Sequence, residues 1–164
     1  MTVADRIGVM DQGRLVQVAP PAEIYEQPNS RWVADFIGEV NLIEGRVVAA
    51  TPASTTIMSG EAGRLEVAAA TEAAVGATVW LALRPEKVSI SHAPPSAASE
   101  NCVSGRVWDI GYLGDVSTYK VCLDNGFVMK AAAPNMTRLI ARPFGFDQTV
   151  WLTWASDAGV VLSR

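Results

Sequence analysis

The residues with most to offer chemically are an arginine, a glutamate and a lysine set around a proline, in LRPEK at 83–87. Pro85 fixes the backbone between Arg84 and Glu86, so both heads leave a rigid turn at the end of a strand. There they could pair with each other or clasp a neighbouring chain. The other polar residues assemble into nothing comparable. A phosphate-cradling loop needs GxxxxGK[ST], and the chain holds no Gly-Lys pair. IGVMD at 7–11 looks like a strand ending in a magnesium-holding Asp, but Asp11 runs straight into Gln-Gly and reads as a turn. SGEAG at 59–63 has no Lys and no helix signal, and reads as a hairpin connection. His92 stands in a Pro-rich stretch without a helpful acid and reads as a solvated linker histidine. Cys102 and Cys122 lack CxxC spacing and read as two small buried thiols, neither a zinc site nor a disulfide. No Ser or Cys stands in a nucleophile-elbow setting. The sequence therefore predicts no catalytic residue, no cofactor and no metal in this chain.

The totals narrow the partners. A net charge of -4 without a basic cluster omits the footprint that a phosphate backbone requires, so nucleic acid is not an expected partner. No apolar run reaches the roughly 18 residues of a membrane span, and no basic-then-apolar leader is seen, which reads as a cytosolic chain. An apolar fraction of 49% against 18% charged residues belongs to a folded protein rather than a solvated tail.

Several elements must position these groups. IGVM and RLVQ around DQG predict an N-terminal hairpin, marginal in water unless its face is covered. Two prolines start a short helix near Ala22, and Pro28 stops it. A second helix follows, capped by Asn29 or Ser30, with Trp32, Val33, Phe36 and Ile37 as one apolar stripe and Gly38 as a left-handed stop. Beyond it the texture turns to short β-like runs, placing a boundary at Gly38 to Asn41.

The β region repeats itself. LIEGRVV at 42–48 is echoed by CVSGRVW at 102–108, and TVWLAL at 78–83 by TVWLTW at 149–154. Two similar halves, about 41–91 and 101–163, are expected to form one small barrel design twice, a mainly β, OB-like fold. Alternation puts Val79, Leu81 and Leu83 on one face and Val150, Leu152 and Trp154 on the equivalent face, as the cores. Trp80 and Trp151 then point the other way, either to pack the halves together or to meet a partner. The site matching LRPEK reads ASDAG in the second half, so only one half can use that cluster.

The wording also resembles a known family. ADRIGVMDQGRLVQ, PAEIYEQP and RWVADFIGEVN are similar to the segment of importer-type ABC transporter ATPases that crosses into their C-terminal accessory region, the transport-associated OB (TOBE) domain. LRPEKVSI, GRVWDIGYLGDVSTYKVCLDNG and VWLTW resemble that domain itself, and YLGDVSTYKV is most similar to the spermidine/putrescine branch. The resemblance implies residues 1–38 as the end of a nucleotide-binding domain and 39–164 as a TOBE regulatory domain. It implies that the phosphate loop, signature motif, catalytic Glu and switch His, with the ATP and Mg they hold, belong to a parent segment ahead of the residue matching Met1. It implies, too, a homodimer at the inner face of the cell membrane, joined to the ATPase domain and through it to permease subunits. Trp80, Arg84, Glu86, Trp108 and Trp151 are the candidate interface or regulatory residues; a stand-alone OB-like small-ligand or oxyanion binder is the alternative. With its sheet gone, the hairpin's Ile7, Val9, Leu15 and Val16 are expected to lie open, so that residues 1 to about 20 are disordered or pair with another copy.

Overall fold

The structure, a computed structural model, describes residues 4–96, 101–136 and 143–164. The chain opens on the antiparallel hairpin β1 (Ile7–Asp11) and β2 (Arg14–Ala19). Its turn residues Gln12 and Gly13 both take positive φ, 46° and 77°, the backbone that matches the twist of a two-residue hairpin. Two short helices follow, α1 (Pro21–Glu26), with proline in its first turn, and α2 (Arg31–Ile37), whose Ser30 hydroxyl accepts from the Val33 N–H at 3.3 Å.

The hairpin is covered, contrary to the sequence expectation. Val9 and Ala19 bury one face against Ile24 of α1 and Val33 of α2, with Ile7, Val16 and Ile37 around them. The chain supplies its own lid, and only the opposite face, with Met10 and Leu15, remains open. Residues 1–3 lie outside the described residues. The stripe on α2 also divides: Val33 goes inward, whereas Trp32 and Phe36 stack on each other at 4.9 Å on the exposed side. Gly38 leaves the helix with an extended backbone, φ 170°, rather than the left-handed stop.

Ten further strands make two five-stranded antiparallel sheets. The first repeat contributes β3 (Asn41–Ala50), β4 (Thr55–Ser59), β5 (Gly63–Val67), β6 (Thr78–Leu83) and β7 (Ser89–Ser91). The second contributes β8 (Asn101–Tyr112), β9 (Val116–Leu123), β10 (Val128–Pro134), β11 (Thr149–Trp154) and β12 (Gly159–Leu162). The sheet orders are β12-β6-β3-β4-β5 and β10-β9-β8-β11-β7. The final strand of each repeat thus lies in the other repeat's sheet, a difference from the sequence expectation of two blocks complete in themselves. The edges of each sheet curl toward one another, β12 to β5 and β10 to β7.

The repeated wording has a structural cause. Gly45 and Gly105, from the two GRV copies, sit where a Cβ would meet Ile57 at 2.4 Å and the Cys122 carbonyl oxygen at 2.5 Å, so each strand is crossed at a distance only glycine permits. Just beyond, both strands bulge, between Val47 and Ala49 and between Val107 and Asp109. The inward faces are those the alternation predicts: Val79, Leu81, Leu83, Val150, Leu152 and Trp154 are all buried, and they belong to one continuous core shared by both repeats. The halves pack through these residues rather than through the two outward tryptophans.

Candidate functional site

Two constructions give the molecule its functional shape, one tying the repeats together and one tying the helices to the barrels. The first is a pair of asparagine clasps. Asn41 opens β3, and its side chain donates to the Lys130 carbonyl at 2.8 Å and accepts from the Lys130 N–H at 2.7 Å. Asn101 opens β8 and does the same to Glu66 on β5, at 2.9 and 2.8 Å. Each carboxamide imitates one residue of a neighbouring strand, and each reaches into the opposite repeat. Both asparagines are buried, so the clasps satisfy four backbone groups that water does not reach freely. A shared N-x-x-x-G-R-V wording, 41–47 and 101–107, carried this signal in the sequence.

The second construction uses the LRPEK cluster, whose charged heads turn toward the helices of their own chain. Arg84 and Glu86 do not pair with each other. Arg84 is buried, and its Nη1 lies 2.9 Å from the Ala34 carbonyl, 2.9 Å from that of Gly38 and 3.0 Å from that of Glu39. The Ala34 carbonyl lies in the last turn of α2 and those of Gly38 and Glu39 follow its end, so the guanidinium caps the helix from outside. Its Nη2 donates to the Tyr25 carbonyl at 3.3 Å, and the plane lies 4.3 Å from the centre of the Tyr25 ring. Glu86 accepts from the Tyr25 hydroxyl at 2.6 Å, and Lys87 stands 3.3 Å from Glu26. Burial, then the bond to Glu86, pushes the Tyr25 phenol up to about 12. A small apolar seam of Ala34, Val40, Ala82 and Leu162 backs the polar ties.

The tryptophans separate. Trp80 is half-buried with the Arg31 guanidinium 3.7 Å from its ring centre, so α2 covers it. Trp151 is half-buried on β11, level with Ser91 and Ser104. Trp108 sits at the β8 bulge and is 64% exposed; the matching residue in the first repeat is Val48. His92 is exposed but not idle: one ring nitrogen lies 3.0 Å from the Pro143 carbonyl oxygen, the other 3.3 Å from Gln148, and the ring tilts against Phe144. Cys102 and Cys122 are half-buried rather than buried. Among the described residues no group of three or more His, Cys, Asp or Glu side chains could hold a metal ion. No helix among them is long and apolar enough to cross a membrane.

A cleft of about 280 Å³ lies across the joint. Tyr25 and Glu39 line it from the helical side, Pro85 and Glu86 from the turn, and Lys120 and Lys130 from β9 and β10. Lys120 is paired with Asp109 at 2.8 Å, which lowers the carboxyl and raises the ammonium; Lys130 is paired with Glu39.

Two curled five-stranded sheets that exchange their last strands define a paired OB-like barrel module carrying a hairpin–helix annex. Residues 81–162 match the TOBE domain family, and the chain belongs to it. The spermidine/putrescine import ATP-binding protein PotA of Nitrosospira multiformis is 36% identical over 163 residues, covering 99% of this chain and 45% of the relative. The putrescine transport ATP-binding protein PotG of Escherichia coli K12 is 37% identical over 164 residues, 99% of this chain and 43% of its own length. The chain thus spans less than half the length of these relatives, the C-terminal part with the TOBE region. Among solved structures, the cytoplasmic molybdate-binding protein ModG superposes with a TM-score of 0.66 at 13% identity, over 82% of this chain and 97% of that one. That likeness shows the shared fold.

Proposed function

We propose that this chain is a non-catalytic regulatory and dimerisation region of the ATP-binding subunit of an ABC importer for polyamines of the spermidine/putrescine type. The observation that carries the reading is the extent of the likeness: relatives named for that import match both the hairpin–helix annex and the paired barrels. The partners are then a second copy of the chain, the parent's ATPase domain and, through it, permease subunits at the inner face of the membrane. ATP and Mg belong to the ATPase domain. A two-fold dimer uses one rigid patch against itself, and Trp108, displayed on a bulged strand, supplies such a patch.

Sedimentation equilibrium on the purified chain, with and without Trp108→Ala, tests this. Expected are a concentration-dependent dimer, a dissociation constant raised about tenfold or more by the substitution, and no ATP hydrolysis. A strict monomer, or ATP turnover by pure material, overturns it. Calorimetry with molybdate, sulfate and spermidine separates the small-ligand alternative, since a stand-alone oxyanion binder must give saturable heat with the anions.

A further inference from the structure

We infer that the cleft across the joint is a binding site for a small amino acid with an apolar side chain. Lys120 and Lys130 are direct cross-strand partners on β9 and β10. Like charges placed opposite one another destabilise a strand pair, so this arrangement holds only while carboxylates compensate it. In the chain by itself the compensation comes from Asp109 and Glu39. These two are held differently: Asp109 lies on β8, in register with Lys120, whereas Glu39 belongs to the extended segment after α2 and its side chain is 73% exposed. An ion pair with so exposed a carboxylate holds weakly, so an incoming carboxylate can take the place of Glu39 on Lys130 at little cost.

The rest of the cleft complements such a ligand. Glu86 is exposed and accepts the Tyr25 hydroxyl, which leaves a carboxylate with further acceptor positions for an ammonium group. Pro85, Ala132 and the 69% exposed Leu113 provide an apolar wall. At about 280 Å³ the space lies below the range of roughly 300–1,000 Å³ typical of drug-sized ligands, which selects a small metabolite. A cationic pair, the Glu86 carboxylate and an apolar wall between them match the carboxylate, ammonium and side chain of one amino acid. Such a ligand touches Tyr25 on the helical side and Lys130 on the barrel side at once, so its occupancy stiffens the joint. The inference rests on this cleft and is independent of the polyamine reading.

NMR titration of the full chain tests it, with L-leucine as the probe and two truncated probes beside it: 4-methylpentanoate, which lacks the ammonium, and 3-methylbutylamine, which lacks the carboxylate. Leucine is expected to give saturable shifts at the Glu86, Lys120 and Lys130 amides, with each truncated probe about tenfold weaker, as the loss of one charged contact implies. Lys130→Ala, at a half-buried position, and Glu86→Gln, at an exposed one, with the fold checked in the same spectra, should each weaken leucine about fivefold or more, while Arg64→Ala should not. Absence of a saturable shift up to about 20 mM leucine, equal shifts from all three probes, or unchanged affinity in both variants overturns the assignment.

Discussion

Asn41 and Asn101 hold the same place in the two repeats, and each closes a two-bond ring onto the backbone of the other repeat, Asn41 on Lys130 and Asn101 on Glu66. The reciprocity makes the two barrels one object: a buried side chain at the start of each barrel's central strand completes the edge of its neighbour.

Replacing either asparagine by alanine leaves a part-buried N–H and C=O on the facing strand without partners, which costs about 1–3 kcal/mol each. Urea unfolding of Asn41→Ala and Asn101→Ala should show losses of that size in a single cooperative transition. A loss below about 0.5 kcal/mol in both would mean that the clasps hold nothing.

Arg84 gives a sharper case, because charge and shape can be separated. Arg84→Lys keeps the positive charge but cannot reach the Ala34, Gly38 and Glu39 carbonyls and stack on Tyr25 together. Amide exchange in α1 and α2 should accelerate in Arg84→Lys nearly as much as in Arg84→Ala, with barrel amides little affected. Equal protection in Arg84→Lys and the parent chain would reduce the joint to simple charge.

Tyr25 ties the same joint to alkaline pH. Its folded-state value, about 12, lies above the ordinary 10.0, so the folded protein keeps a proton that the unfolded chain gives up. This contribution is therefore complete below pH 10.0 and is lost as pH rises toward about 12. Denaturant midpoints measured from pH 8 upward should fall across that window, and Tyr25→Phe should flatten the fall. An identical slope in Tyr25→Phe would assign the loss to other groups.

Gly45→Ala and Gly105→Ala should each destabilise by about 1–3 kcal/mol through overpacking. The obstacle at Gly105 is the Cys122 carbonyl, which cannot rotate away as a side chain can. Thermal unfolding of the two variants checks this, with Gly60→Ala as the neutral comparison, since open space surrounds a Cβ there.

Much of this architecture was legible. The period-2 alternation of TVWLAL and TVWLTW identified the buried faces residue by residue, and the GRV echo marked equivalent strands. Sheet membership of the last strands was not readable, because SIS and GVVL are too short for their side-chain pattern to choose between two similar edges. The role of Arg84 was hidden for another reason: its partners are main-chain carbonyls, which every sequence contains. The cover over the hairpin is not legible because Ile24 and Val33, on two separate helices, act together against Val9 only in the folded chain.

The exchange of terminal strands sets the order in which the molecule can be built. Gly159–Leu162, the last strand of the second repeat, fills an edge of the sheet begun at Asn41. A ribosome that has released the first repeat has therefore delivered a barrel with an open seam, and the seam cannot shut until the last strand of the second repeat has followed. Cutting the linker between the repeats would yield two incomplete pieces rather than two domains. Assembly is thus committed to late, long-range closure, the kind of topology that folds slowly and leaves an unpaired edge exposed in the meantime.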